Sequence, residues 1–117
     1  MIITISRIYD TPREPQGFRV LVDRLWPRGV KKDEAHLDLW LKDIAPSDTL
    51  RKWFGHDPAK WEAFKQHYFA ELESKPAVLD HLVREAGNRP VVLLYGARDT
   101  EHNQAVALKE YLERRTT

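Results

Sequence analysis

The sequence contains no cysteine, which excludes disulfide bonds, zinc–thiolate sites and cysteine nucleophiles. It also has no run of the roughly 18 apolar residues that a membrane-spanning helix requires. Its opening, MIITISRIYD, lacks the basic and apolar regions of a secretory signal peptide. These absences predict a cytoplasmic protein with no membrane partner.

The sequence is not enriched in glycine or proline, and neither charge sign dominates. With Gly 5, Pro 7 and 42% hydrophobic residues, the composition excludes collagen-like, low-complexity and disordered chains. The 117 residues match a common domain size, so we expect one domain over residues 1–117. The net charge is +1, but residues 1–32 hold seven Lys/Arg against three Asp/Glu. This basic N-terminal third suits an anion-binding face, or its charges are simply solvated.

Four segments have strand character. Residues 2–8 and 18–26 are rich in strand formers, and a proline-containing loop is predicted between them at 9–17. Residues 36–44 alternate leucine with polar residues, which favours a half-buried strand, although such a run also fits a helix. The run Val91–Tyr95 is apolar throughout and predicts a strand that is covered on both faces.

Helix signals separate these strands. Ser47 can cap a helix that stops at Gly55, and Asp57-Pro58 restarts the chain as an N-cap and first helical residue. Three further helices are expected, at 58–73, after Pro76 and near the C-terminus, the last with Asp99 or Thr100 as its cap. Their apolar positions fall on one face of each helix: Trp61, Phe64, Tyr68 and Leu72; Leu79, Leu82, Val83 and Ala86; Ala105, Leu108 and Leu112.

This order predicts an α/β fold, a small and mainly parallel sheet of three or four strands flanked by helices. Ligands of such sheets bind outside the carboxyl ends of the strands, where loops and helix N-termini converge. The loops at 23–29 and 96–103 follow two predicted strands and should meet at that edge.

Arginine guanidinium groups bind carboxylate or phosphate through paired hydrogen bonds, so these two loops favour an oxyanion ligand. His102 is the candidate general acid or base, with Asp99 as its partner, and His56 is a weaker candidate. The alternative is that these groups only pair with one another. The predicted ligand contacts are Asp23, Arg24, Trp26, Arg28, Arg98 and Asn103.

The sequence leaves open whether the protein is an enzyme. It contains no phosphate-binding loop, dinucleotide fingerprint or nucleophile elbow, and its histidines lack metal-ligand spacing. No metal and no cofactor are therefore expected. The alternative function is a nucleic-acid or protein interaction module that uses the basic N-terminal third, with Trp26 as the one partly exposed tryptophan.

Three segments resemble, over nearly the full length, the YeaO-like branch of domain of unknown function 488, a bacterial family: VDRLWPRG, LKDIAPSDTLRKWFGHDPAKWEAF and LLYGARDTEHNQAVAL. The resemblance implies a compact cytoplasmic α/β domain and no particular activity. A longer sister branch is similar but carries a cysteine near the position of His102-Asn103. The layout is also similar to that of sulfurtransferases and cysteine phosphatases, whose covalent mechanism needs a thiolate that is missing here.

Overall fold

A four-stranded parallel sheet forms the centre of the molecule, with the strand order β1-β4-β2-β3. The computed structural model describes residues 1–10 and 17–115, so most of the predicted loop at 9–17 lies outside the described residues. The strands are β1 (Ile3–Arg7), β2 (Phe18–Leu21), β3 (Leu39–Trp40) and β4 (Val91–Tyr95). The helices are α1 (Lys32–Ala35), α2 (Asp48–Phe54), α3 (Trp61–Glu73), α4 (Pro76–Ala86) and α5 (Gln104–Arg115). The prediction of a small parallel sheet flanked by helices is confirmed.

Strand β4 lies between β1 and β2 and is buried along its whole length, as its continuous apolar run predicts. Val91 is aligned with Ile3 on one side and with Phe18 on the other, and all three strands run in the same direction. Their carboxyl ends therefore lie at one edge of the sheet, which we call the carboxyl edge. The segments that begin at Asp23 and at Gly96 leave the sheet there.

Two predicted strands are longer in the sequence pattern than in the structure. Strand β2 ends at Leu21 instead of continuing to residue 26, and the segment 36–44 contributes only Leu39–Trp40. Strand β3 is one of the two edge strands, and its two residues pair with the last two residues of β2. Because β2 ends there, the following residues have no neighbouring strand, and Lys42–Ile44 form a 3₁₀ turn.

The local signals around α2 are confirmed. The Ser47 side chain accepts a hydrogen bond from the Leu50 N–H, and the helix ends at Gly55, whose φ of 54° is left-handed. Asp57 caps a 3₁₀ turn at Pro58–Lys60, so α3 begins at Trp61 and not at Pro58. The carboxylate of Glu71 on α3 accepts hydrogen bonds from the Ser47 N–H at 2.8 Å and the Ser47 hydroxyl at 2.6 Å.

The apolar faces of the long helices pack as the periodicity predicts, with one exception. Val83 is 38% exposed, because it lies about 100° around α4 from the buried Leu82.

The tryptophans differ from the prediction. Trp53, on the short helix α2, is 42% exposed, so the prediction that Trp26 alone is partly exposed is wrong. Trp26 is half-buried and contacts Trp40 edge-on in a smaller core that also holds Leu21 and Leu94. None of the helices in the described part of the chain is long and apolar enough to cross a membrane.

Helix α3 contributes stacked aromatic rings to the main core. The ring of Phe64 lies 4.4 Å from that of Phe54 and 5.9 Å from that of Tyr68, centroid to centroid. Phe64 is 2% exposed and Tyr68 is fully buried, with its hydroxyl donating to the Ile44 carbonyl at 2.7 Å. This packing joins α2 and α3 beside the carboxyl edge.

We expect Phe64→Ala to lower the free energy of unfolding by about 3–5 kcal/mol, because truncating a buried aromatic ring leaves a cavity. Gln66→Ala, at an exposed position of the same helix, should change it by less than about 0.5 kcal/mol. Urea denaturation of both variants measures the difference. Equal stability of the two variants would show that this face of α3 is not core.

Candidate functional site

A cleft of about 200 Å³ opens at the carboxyl edge between the segment after β2, helix α2 and the start of α5. Six of its lining residues are polar and six are apolar. The polar residues are Asp23, Arg24, Arg51, His56, Asn103 and Gln104, and the others are Leu25, Ala45, Pro46, Phe54, Phe64 and Ala97. The cleft thus combines charged groups with two aromatic rings of the main core.

Asp23 joins the two segments that leave β2 and β4. Its carboxylate accepts a hydrogen bond from the Gly96 N–H at 2.9 Å and another from the side-chain amide of Gln104. A β-carbon at position 96 would lie 2.9 Å from the same carboxylate oxygen, so glycine permits this close approach. Asp23 therefore fixes the position of the β4–α5 loop.

Burial raises the pKa of Asp23 from 3.8 to about 6, although the hydrogen bonds from Gly96 and Gln104 act in the opposite direction. Between pH 3.8 and about 6, the folded chain therefore holds a proton on Asp23 that the unfolded chain releases. Asp23 therefore stabilises the fold fully below pH 3.8, and this contribution is lost as the pH rises through about 6.

Arg24 is held against the start of α2 by backbone carbonyl groups. Its Nη2 donates to the Ala45 carbonyl at 3.3 Å, and its Nε donates to the Pro46 carbonyl at 3.4 Å. The side chain is 31% exposed, and Nε lies 3.9 Å from the carboxylate of Asp48. Arg51, one turn further along α2, shares this carboxylate at 3.3 Å. Two guanidinium groups thus lie at the cleft around one exposed carboxylate.

His56 lies in the cleft with a φ of 57°, in the left-handed region that residues other than glycine rarely adopt. It follows Gly55, which is also left-handed. Its ring centroid is 6.1 Å from that of Phe54. Among the described residues, His36 is the other residue of this kind, with a φ of 52° at the end of α1.

The start of α5 differs from the sequence prediction. Asn103 caps the helix, because its side-chain oxygen accepts from the Val106 N–H at 3.0 Å while its amide donates to the Asp99 carbonyl at 2.9 Å. The prediction of Asp99 or Thr100 as the cap is wrong: the Asp99 carboxylate instead accepts from the Glu101 and His102 N–H groups in a turn before the helix. These hydrogen bonds lower the pKa of Asp99.

Asp99 and His102 form a pair of their own. The Asp99 carboxylate lies 3.0 Å from Nδ1 of His102, and the imidazole contacts the Trp61 ring edge-on. Trp61 in turn stacks on Phe64. Neither residue of the pair lines the cleft, although Asn103, which follows His102, does.

The structure brings some of the predicted ligand contacts together and not others. Asp23, Arg24 and Asn103 line the cleft, although Asn103 is distant from the other two in sequence. Five predicted site residues are not part of its lining: Trp26, Arg28, Arg98, Asp99 and His102. Trp26 donates from its indole to the Val30 carbonyl, and Arg28 and Arg98 are exposed.

The cleft lining also includes Arg51 and Gln104, which sequence reasoning did not name, and His56, which it gave as a weaker candidate. Arg51 lies one turn before Phe54 on α2, and the Ser47 cap signals where this helix begins in the chain but not that it faces the carboxyl edge. Gln104 is the first residue of α5. It was not expected at the site, because the interpretation of Asp99 or Thr100 as the helix cap placed the start of α5 too early in the chain. In the described part of the chain, no cluster of three His, Asp or Glu side chains could hold a metal ion.

The fold and the cleft define a small parallel α/β domain with a polar site at its carboxyl edge, and comparison with known proteins places it further. Residues 2–117 match the family model described as the inactive DUF488-N3 subclade. The uncharacterised protein YeaO of Escherichia coli is 41% identical over 112 residues, 96% of this chain and 97% of YeaO. The uncharacterised protein Rv3073c of Mycobacterium tuberculosis is 34% identical over 113 residues, 97% of this chain and 95% of its own.

No solved structure matches the chain significantly. The match of the family model over nearly the whole chain, together with the YeaO identity, shows the family. This protein belongs to the DUF488 family and is YeaO-like, as the sequence resemblance predicts.

We expect His56→Gly to raise the free energy of unfolding by roughly 0.5–1 kcal/mol, because glycine adopts the left-handed conformation without steric cost. His36→Gly is the matched control outside the cleft, and it should stabilise by a similar amount. Thermal unfolding of both variants measures the effect. A loss of stability in His56→Gly alone would show that the contacts of its ring outweigh the strain.

Proposed function

We propose that this protein binds a small organic anion in the cleft at the carboxyl edge. The observation that carries the proposal is the position of Arg24, whose guanidinium group is fixed by the Ala45 and Pro46 carbonyls at the cleft lining. A guanidinium group that is already oriented loses little conformational freedom when it pairs with a carboxylate or phosphate.

The surrounding charges favour an anion. Arg24 and Arg51 share the carboxylate of Asp48, whose side chain is 60% exposed. Exposed ion pairs of this kind contribute little, so a ligand anion can replace Asp48 at small cost. His56 adds an imidazole whose strained backbone conformation is the kind that clusters at binding sites.

The apolar part of the lining indicates the rest of the ligand. Phe54 and Phe64 provide aromatic surface, and Leu25 and Pro46 provide aliphatic surface. The volume of about 200 Å³ is below the usual range of roughly 300–1,000 Å³ for pockets of drug-sized ligands. A small acid with a compact apolar body suits this lining better than an inorganic ion.

Binding without catalysis has better support than an enzymatic function. The matching family model is described as an inactive subclade, and the chain has no cysteine for thiolate chemistry. The Asp99–His102 pair retains the geometry of a base and its orienting carboxylate, but neither residue lines the cleft.

The alternative, a nucleic-acid or protein interaction module in the basic N-terminal third, has less support. Its proposed contact, Trp26, packs on Trp40, and its indole N–H is used by the Val30 carbonyl. Lys32 lies over the Trp26 ring at 5.8 Å, where a stacked base would otherwise bind. A steep loss of affinity with salt would be the signature of this alternative.

We expect 3-phenylpropanoate to bind to the wild-type protein and Arg24→Ala to weaken this binding by at least about tenfold, since a charge-assisted hydrogen bond contributes roughly 1.5–3 kcal/mol. Arg28→Ala removes an exposed arginine outside the cleft lining and should leave the affinity unchanged. Amide chemical shifts followed during titration measure both the affinity and the location. Equal losses in the two variants, or no binding to the wild type, would contradict the proposal.

A further inference from the structure

Asp23 is a charged group of the cleft that anion binding does not use. Its carboxylate accepts from two neutral donors, the Gly96 N–H and the Gln104 amide. Among the described residues, no Lys, Arg or His side chain lies within ion-pair distance of it. Arg24 is adjacent in sequence, but its guanidinium group is engaged with Ala45, Pro46 and Asp48.

A largely buried carboxylate without a counter-charge pays a desolvation penalty that two neutral hydrogen bonds offset only in part. The raised pKa of Asp23, caused by burial, is consistent with this deficit. A cation that enters the cleft removes the deficit by pairing with Asp23 where water is partly excluded. The cleft thus has two opposite requirements, an anion at Arg24 and a cation at Asp23.

We propose that the ligand is a zwitterion, a small amino acid-like molecule whose ammonium group pairs with Asp23 while its carboxylate pairs with Arg24. This inference rests on the proposed function and names the class of its ligand. The aromatic rings of Phe54 and Phe64 would pack against the apolar side chain of the molecule. The carboxylate of Asp23 keeps its two structural hydrogen bonds, because each oxygen has a second lone pair for an ammonium donor.

Three probes that share one phenyl ring separate the two charges: L-phenylalanine, 3-phenylpropanoate and 2-phenylethylamine. At pH 7.5, isothermal calorimetry with the wild-type protein should show L-phenylalanine binding about tenfold tighter than either single-charge probe. Asp23→Asn keeps the side-chain shape and removes the charge, and it should reduce the affinity for L-phenylalanine to that for 3-phenylpropanoate. Asp80→Asn, on an exposed carboxylate that pairs with Arg115, should change none of the three affinities.

The wild-type comparison decides the matter even if Asp23→Asn folds poorly. Arg24-dependent binding of 3-phenylpropanoate with no gain for L-phenylalanine would overturn the zwitterion inference and leave anion binding in place. Failure of every carboxylate probe to bind would overturn both proposals. Tighter binding of 2-phenylethylamine than of L-phenylalanine would also contradict the inference, because it would show that the carboxylate contributes nothing at Arg24.

Discussion

The hydrogen bonds of the Asp23 carboxylate to Gly96 and Gln104 connect the end of β2 to the loop and helix that follow β4. These residues are more than seventy positions apart in sequence, and the parallel arrangement of the strands is what brings them together. With this connection in place, Asn103 and Gln104 line the same cleft as Arg24. Burial strengthens the hydrogen bonds of the Asp23 carboxylate and also raises the free-energy cost of its negative charge. The same residue therefore holds the two segments together and favours a positively charged partner.

Most of the fold could be predicted from the sequence, because the local signals agree with the tertiary structure. The apolar run of β4, the Ser47 cap and the stripe on α3 each depend on neighbouring residues only, and each is confirmed. The errors arose where the outcome depends on distant partners. The predicted strand over residues 36–44 is reduced to Leu39–Trp40 because β2, its neighbour, ends early.

The candidate site was predicted only in part, for the same reason. Strand direction alone placed Asp23 and Arg24 at the edge to which α5 contributes Asn103. The contribution of α2 could not be deduced, because no sequence pattern specifies how that helix is turned toward the cleft. Nor could the sequence show that the His102 ring packs against Trp61, since a stripe on a helix does not reveal which distant residue contacts it.

The most direct test is a carbon-detected NMR titration of the Asp23 carboxyl group together with the amide of Gly96. Burial without a counter-charge predicts a titration midpoint near pH 6 for Asp23, and the Gly96 amide should shift with the same midpoint because its N–H donates to that carboxylate. A midpoint near the ordinary Asp value of about 3.9, with no response at Gly96, would show that Asp23 is solvated and does not connect the two strand ends.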